Sequence, residues 1–153
     1  MKIPNKIKIN REEDYYTHYI GKTSDGKQFV CMIGATLPTP IPEDWENHKR
    51  WYAILHLFDD EGNYLTTQTV FTGLTSDGED DIIERAREER SNFVESLGEV
   101  SYQGVEVCLF STKVEGSVFG LVDASEPEED YYCINLLPNG LAFFPPWDGD
   151  YDT

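Results

Sequence analysis

Hydrophobic and polar positions alternate along several short stretches of the chain, which is the pattern of half-buried β-strands. Segments 15–20 and 28–35 are rich in aromatic and β-branched residues and flank Asp25-Gly26, a pair that favours a tight hairpin turn. Residues 50–58 are apolar on both alternating faces, which predicts a central strand covered on both sides, at least in part. Residues 64–72 follow a turn-forming run of acids and glycine, so they are predicted to pair with 50–58 as a second hairpin.

One long helix is predicted over about 79–97, because apolar residues recur there at spacings of three and four. Acidic residues fill its first turn, where the helix dipole is positive. Ser76 or Asp77 is predicted to cap its start, and Gly98 to end it. Its charged outer face is expected to face solvent.

The remaining segments predict further strands. Residues 105–110 and 117–123 are expected to form a third hairpin, and 131–137 is expected to turn through Pro-Asn-Gly into 141–144. The fold class is therefore α+β, a mostly antiparallel sheet of about six to nine strands in sequential hairpins with the helix packed on one face. A chain of 153 residues is about one domain, 1–153. Within it, 1–12 is a basic N-terminal arm and 145–153 an acidic aromatic tail.

The charge balance narrows the range of partners. The chain carries 29 acids and 12 Lys or Arg, a formal charge of −17. Nucleic acids and anionic lipids are recognised by clustered cations, so direct nucleic-acid binding and membrane adhesion are not expected. The acidic surface is compatible with a basic protein partner, and solubility alone is the other interpretation of the charge. Four cations lie in the first eleven residues, while nine acids and no Lys or Arg follow residue 114. We expect the arm to lie near the acidic C-terminal third, since that arrangement lowers self-repulsion.

The cysteines indicate a reducing compartment. Cys31, Cys108 and Cys133 are odd in number, form no CxxC motif and lie inside apolar strand-like runs. No apolar run reaches the length of a membrane span, and the first ten residues lack the apolar core of a secretory signal. A cytoplasmic location is therefore expected.

Two motifs resemble ligand sites. Residues 21–27 match the GxxxxGK pattern, but a strand pattern follows where a phosphate loop needs a helix, so a simple turn is predicted. Asp148, Asp150 and Asp152 alternate in the tail and would point the same way in an extended chain, a weak candidate for a hard cation. No functional metal site and no cofactor are predicted.

The histidines and loop tryptophans are the other candidates. If the protein is an enzyme, His48 in the Pro-rich loop 37–48 is the first choice of catalytic base, followed by His18 and His56. His56 lies mid-strand among apolar neighbours, where a hydrogen-bonded core histidine is the simpler interpretation. Tryptophan is enriched at interface hot spots, although loop tryptophans also close the ends of sheets. The residues predicted to bind a partner are Trp45, Asp44, His48, Trp147, Asp148 and Asp150.

Three stretches resemble a family of small bacterial proteins labelled "formate hydrogenlyase regulatory protein". They are Tyr15–His18 leading to Asp25-Gly26, then residues 48–59, and lastly residues 146–153. The resemblance extends over nearly the whole chain. It implies a cytoplasmic regulator and brings no established catalytic residues. The sequence itself contains no helix-turn-helix or basic DNA-reading segment.

The leading functional hypothesis is a non-enzymatic, acidic, cytoplasmic binding or regulatory protein that acts through protein–protein interaction. An immunity-type inhibitor that blocks a cationic toxin by charge complementarity is a close variant. A small hydrolase-like enzyme with a histidine-centred site is the alternative from a different class. It would require two imidazoles, or an imidazole and a carboxylate, within about 3 Å of each other in a cleft.

Overall fold

Twelve strands and one long helix form within residues 2–153, the part of the chain that the computed structural model describes. The strands belong to three antiparallel sheets, and the helix, α1, extends over Glu79–Ser96. The predicted α+β class is confirmed, with more strands than expected. In chain order the strands are β1 Lys6–Ile9, β2 Ile20–Thr23, β3 Gln28–Thr36, β4 Arg50–Phe58, β5 Tyr64–Leu74, β6 Val100–Tyr102, β7 Val105–Cys108, β8 Phe110–Val114, β9 Ser117–Asp123, β10 Ile134–Leu137, β11 Leu141–Phe143 and β12 Tyr151–Asp152.

The central sheet has the strand order β5-β4-β3-β2-β6. β3 and β4 pair along their whole length, from Gln28 opposite Phe58 to Thr36 opposite Arg50. β4 also pairs with β5, which confirms the hairpin predicted from the apolar run and the acidic turn. Because β4 lies between two partners in the sheet and is covered on both faces, six of its nine residues are buried.

The GxxxxGK segment forms a hairpin turn. It joins β2 to β3, and the Thr23 N–H donates to the Lys27 carbonyl across the turn at 2.9 Å. β3 starts directly after Lys27, at Gln28. The predicted turn is therefore confirmed, since a phosphate loop would need a helix at this point.

The second sheet has the order β12-β11-β10-β9-β8, and the third pairs β1 with β7. The third predicted hairpin is wrong in its first strand. Residues 110–114 pair with 117–123, whereas 105–108 pair with the N-terminal arm. The apolar run is interrupted at Leu109, whose N–H donates to the Asn5 carbonyl. One continuous apolar segment therefore serves two sheets.

Side chains on the two faces of the central sheet pack against different layers. Tyr52, Ile54 and Phe58 face the second and third sheets in a cluster of sixteen buried residues of the described chain. Leu55 faces the helix in a much smaller buried cluster that holds Phe29 and Cys31, covered by Phe93, Val94 and Leu97. The molecule thus has three layers, with β3 and β4 in the middle one.

The helix has the predicted extent but a different start. Gly78, with a left-handed φ of 109°, is its N-cap, and no side chain caps the helix. The Asp77 carboxylate instead accepts the Leu74 N–H in the preceding 3₁₀ turn. The predicted cap by Ser76 or Asp77 is therefore wrong. Gly98, with a left-handed φ of 77°, follows the helix as expected.

The basic arm and the acidic tail lie together, as predicted. The Asn10 N–H donates to the Gly149 carbonyl at 3.0 Å, and the Asn10 side-chain amide donates to Asp150 Oδ1 at 2.8 Å. Within residues 2–153, ion pairs do not account for this contact, because Lys6 of the arm pairs with Glu106. An amide, and not the cations, ties the arm to the tail.

No helix within residues 2–153 is both long enough and apolar enough to cross a lipid bilayer.

Candidate functional site: an aromatic cleft on the helix side

A cleft of about 640 Å³ opens between α1, the helix-facing side of the central sheet and the segment 12–19. Its volume is within the range of small-molecule sites, about 300–1,000 Å³. Four aromatic side chains, two arginines and one carboxylate contribute to its walls. The lining residues are Asp14, Tyr15, Tyr16, His18, Tyr19, Ile33, Trp51, Ile83, Arg87 and Arg90.

Segment 12–19 forms consecutive turns, so the strand predicted over 15–20 is wrong except at Ile20. Its backbone groups form hydrogen bonds with nearby side chains and are therefore not paired with a neighbouring strand. Thr17 Oγ1 accepts the Glu12 N–H at 2.9 Å and donates to the Asn10 carbonyl at 2.8 Å. Asp14 has a left-handed φ of 62°. Such local bonds compete with strand pairing. They leave Tyr15 and Tyr16 about half exposed at the mouth of the cleft.

The helix contributes Ile83, Arg87 and Arg90, whose spacings of four and three place them on one face. The guanidinium of Arg90 lies 4.3 Å from the ring centroid of Tyr19. Its Nε is shielded from solvent and has no acceptor within residues 2–153. Burial lowers the pKa of Arg90. Arg87 pairs with the exposed Glu84 at 3.1 Å.

The floor of the cleft comes from two adjacent strands. Ile33 of β3 and Trp51 of β4 both point toward the helix layer. The Trp51 Nε1–H donates to Thr75 Oγ1 at 2.9 Å, which fixes the orientation of the indole. Lys49 Nζ lies 4.9 Å from the Trp51 ring and 5.7 Å from the Trp45 ring. Lys49 therefore links the cleft to the Pro-rich loop.

His18 lines the cleft, but its ring is engaged. Its Nδ1 accepts the Asp14 N–H at 2.9 Å, which places the proton of the neutral ring on Nε2. Nε2 lies 3.4 Å from Arg11 Nη2, and because both groups are donors when Nδ1 accepts, this contact is not a hydrogen bond. The ring is thus built into the turn, and no carboxylate orients it as a base.

His48 and Asp44 form a pair with Nε2 and Oδ2 3.2 Å apart, so two of the predicted binding residues do meet. The hydrogen bond from His48 lowers the pKa of the Asp44 carboxyl. Both side chains are exposed on the loop, and neither is part of the cleft wall. Trp45, between them in sequence, is 37% exposed.

His56 is fully buried between the central and second sheets, which agrees with the interpretation as a core histidine. Its Nδ1 lies 2.7 Å from Thr67 Oγ1, and its ring packs edge-on against Phe110. Burial lowers the pKa of His56 to about 3. No hydrogen bond within residues 2–153 joins any two of the three histidines.

The tail does not form the predicted row of carboxylates. Trp147 and Gly149 adopt left-handed φ values of 63° and 96°, so the chain turns and the extended alternation of Asp148, Asp150 and Asp152 is wrong. The Asp150 N–H instead donates to Asp148 Oδ1, and Asp150 accepts from Asn10. Among residues 2–153, no three His, Cys, Asp or Glu side chains gather where they could hold a metal ion. Trp147 packs against the large core cluster.

Aromatic side chains connect the two segments that were predicted to bind a partner. Trp45 and Trp51 share Lys49, Trp51 lines the cleft with Tyr15 and Tyr16, and the Tyr15 ring lies 6.4 Å from that of Tyr151 in the tail. We call these residues the aromatic band: Trp45, Trp51, Tyr16, Tyr15 and Tyr151. The band places the predicted loop and tail on either side of one cleft.

Sequence reasoning missed the arginines of the cleft. Its apolar stripe included Ala86, Phe93 and Val94, and Arg90 occupies the helical position between them. A cation in the middle of an apolar stripe was the available signal, because such a side chain must meet the layer that the helix covers.

The thiols offer no nucleophile in the cleft. Burial raises the pKa of Cys31 to about 12, and Cys31 Sγ contacts the Arg90 carbonyl from inside the helix–sheet layer. Cys133 is also buried, whereas Cys108 is partly exposed. All three are free.

Thiol labelling checks this arrangement. We expect an aromatic disulfide reagent at pH 8 to modify Cys108 in the native protein and all three cysteines in urea, since accessible thiols react through the thiolate. The released chromophore is counted by absorbance, and a Cys108→Ser variant identifies the fast site. Rapid native labelling of Cys31 would contradict the packing of α1 against β3.

Comparison of the chain with protein-family models, with curated proteins and with solved structures found no match in any of the three. The proposed function is therefore argued from the fold and the cleft.

Proposed function

We propose that the protein is a non-enzymatic binding protein that recognises a basic protein partner through the aromatic band. The observation that carries this proposal is the band itself, in which three exposed and two partly exposed aromatic side chains form a row among carboxylates that make no ion pair within residues 2–153. Glu43 and Glu46 flank Trp45 in sequence, Asp14 adjoins Tyr15, and Asp152 adjoins Tyr151. Aromatic anchors surrounded by charge are typical of interface hot spots.

Most of the carboxylates are available to a partner because only a minority of them are engaged in contacts within the fold. Of the 29 Asp and Glu side chains, none is buried, and all except Asp59 and Glu89 are exposed. The ion pairs within residues 2–153 engage five of them. An excess of this size steers a basic protein toward the surface and accelerates encounter.

A cytoplasmic regulatory role, as the family resemblance implies, is part of this proposal. It is supported by the three free cysteines, which suit a reducing compartment. An immunity-type inhibitor is the form that the proposal takes if the partner is a cationic toxin. In that case the complex would abolish the activity of the partner, and an activity assay of the purified partner distinguishes it from a regulator.

Replacement of Trp45 tests the proposal. A protein captured from the host extract and then purified should bind Trp45→Ala about thirtyfold more weakly than wild type, as for loss of a hot spot of about 2 kcal/mol. Leu65→Ala is the matched control, because Leu65 is 48% exposed and lies at the opposite end of β5 from Gly73, which lies against Ile82 of α1. Affinities are measured by calorimetry.

Salt provides the second readout. The association rate constant should fall steeply as NaCl rises from about 20 to 300 mM, since the Debye length shortens from about 20 Å to under 8 Å. A partner that binds Trp45→Ala and wild type equally, or whose association rate ignores salt, contradicts the proposal.

A further inference from the structure

We propose that the interior of the cleft is a binding site for a small organic anion, a ligand with a flat aromatic ring that carries a carboxylate or a phosphate. This inference does not rest on the proposed partner, because it concerns the walls of the cleft and is measured on the isolated chain.

The cleft contains two of the few cations of a strongly negative protein. Arg87 and Arg90 line it, and Asp14 is the one carboxylate among its lining residues. The chain as a whole has a formal charge of −17. Arg87 is paired with Glu84, so Arg90 is the guanidinium of this wall that no ion pair within residues 2–153 engages. Such a guanidinium selects an anion by direct contact, since the long-range field repels it.

Arg90 is prepared for an acceptor. Its stacking on Tyr19 fixes the plane of the guanidinium, and its position in the apolar stripe of α1 brings it against the sheet. A buried donor without an acceptor is unfavourable, because it has lost its hydrogen bond to water and gained no other. Arg90 Nε is such a donor. A planar guanidinium held in one orientation suits the two oxygens of a carboxylate or phosphate.

The aromatic side chains of the cleft are the proposed contacts for the flat ring of the ligand. Trp51 is held by its bond to Thr75, and Tyr15 and Tyr16 stand edge to face, with ring centroids 5.1 Å apart. These rings, with Ile33 and Ile83, give the cleft flat apolar surfaces beside its two cations. A ring stacked on such surfaces and an anionic group on the arginines would fill both kinds of wall.

Three probes of nearly one shape test the charge preference. Benzoate, benzamide and benzamidine are planar and differ mainly in charge. Each is titrated to about 10 mM, since fragments of this size bind in the millimolar range. Two-dimensional ¹H–¹⁵N NMR follows the amides and the Trp51 indole N–H. AMP and adenosine form the phosphate arm of the experiment and distinguish a phosphate ligand from a carboxylate ligand.

We expect benzoate, AMP or both to shift the Trp51 indole and the amides of segment 12–19, with at least tenfold weaker binding of the neutral counterpart. Arg90→Gln should weaken the anion about tenfold or more, as loss of a charge-assisted hydrogen bond does. Arg87→Gln is a second variant at an exposed site and should also weaken it. Arg85→Gln is the matched control, because Arg85 is an exposed cation of the same helix outside the cleft wall.

Three results would overturn the site. One is benzamidine binding as well as benzoate, which would show that the acidic surroundings dominate. Another is an equal loss of affinity in Arg85→Gln and Arg90→Gln, which would indicate an effect of total charge. The third is no shift of the cleft resonances by either anion. Because none of these outcomes involves a protein partner, they leave the proposed function to its own test.

Discussion

Lowering the pH from 7.5 to 5 is expected to remove about 2 kcal/mol of folding free energy through His56 alone. The imidazole is fully buried between the sheets, and burial lowers its pKa in the folded protein to about 3, against about 6.5 in the unfolded chain. Between these values the unfolded state binds one proton more than the folded state. Stability conferred by the neutral ring is thus present above about pH 6.5 and is lost progressively toward pH 3.

His56→Leu and His56→Gln isolate this contribution. Neither side chain titrates, and Thr67 Oγ1 retains the hydroxyl of Tyr64 at 2.8 Å as a partner in both. Urea unfolding is measured at pH 7.5, 6 and 5. Over this range the free energy of unfolding should decrease less for the variants than for wild type, by the roughly 2 kcal/mol that protonation of His56 contributes. His18 and His48 are present in all three proteins, so their effect cancels. Parallel pH profiles would mean that His56 is solvated or paired in the folded state.

Gly120→Ala is expected to destabilise the protein by about 3 kcal/mol or more. Gly120 lies in β9 between β8 and β10, with a left-handed φ of 142°. A methyl group at this position would fall on the Phe110 carbonyl of the neighbouring strand. Backbone cannot move aside as a side chain can, so β8 and β9 would have to separate.

Gly116→Ala separates this steric clash from backbone strain. Gly116 has a left-handed φ of 87° in the turn between β8 and β9, and a methyl group there would meet nothing within 4 Å. We expect it to lose about 1 kcal/mol, the ordinary penalty for alanine in this conformation. The difference in the free energy of unfolding between the two variants, measured in urea, gives the cost of the steric clash with the neighbouring strand. Similar losses at both positions would place the carbonyl of Phe110 farther away.

Hydrophobic periodicity was sufficient to predict the middle of the fold. β3, β4, β5 and α1 have patterns that only one arrangement can bury, so their extents follow from the sequence. The wrong predictions are at segments whose conformation depends on hydrogen bonds to particular residues, either nearby or distant in the sequence. Segment 15–20 has the composition of a strand, yet Thr17 and His18 bind the backbone of their own turn. The break at Leu109 depends on Asn5, about a hundred residues away in sequence.

The site was less accessible to sequence reasoning than the fold. Trp45, Asp44 and His48 were named; Trp45 belongs to the aromatic band, and Asp44 and His48 lie beside it on the same loop. Arg87 and Arg90 were not named, because a helical pattern alone does not tell which flank of the apolar stripe meets another segment. That information comes from segment 12–19, whose turns were mistaken for a strand. Because residues 15–19 were predicted as part of a strand and form turns, the cleft that this segment borders was not predicted.

The two clusters of buried side chains differ greatly in size, and the cleft lies beside the smaller one. The cleft belongs to the thinner layer, where α1 covers only three fully buried side chains of that cluster, while the sheets are held by the cluster of sixteen. Partial opening is least unfavourable where little apolar surface is exposed. Local opening of the helix layer is therefore expected to cost less free energy than separation of the paired sheets, and amides of α1 should exchange with solvent faster than those of β3 and β4.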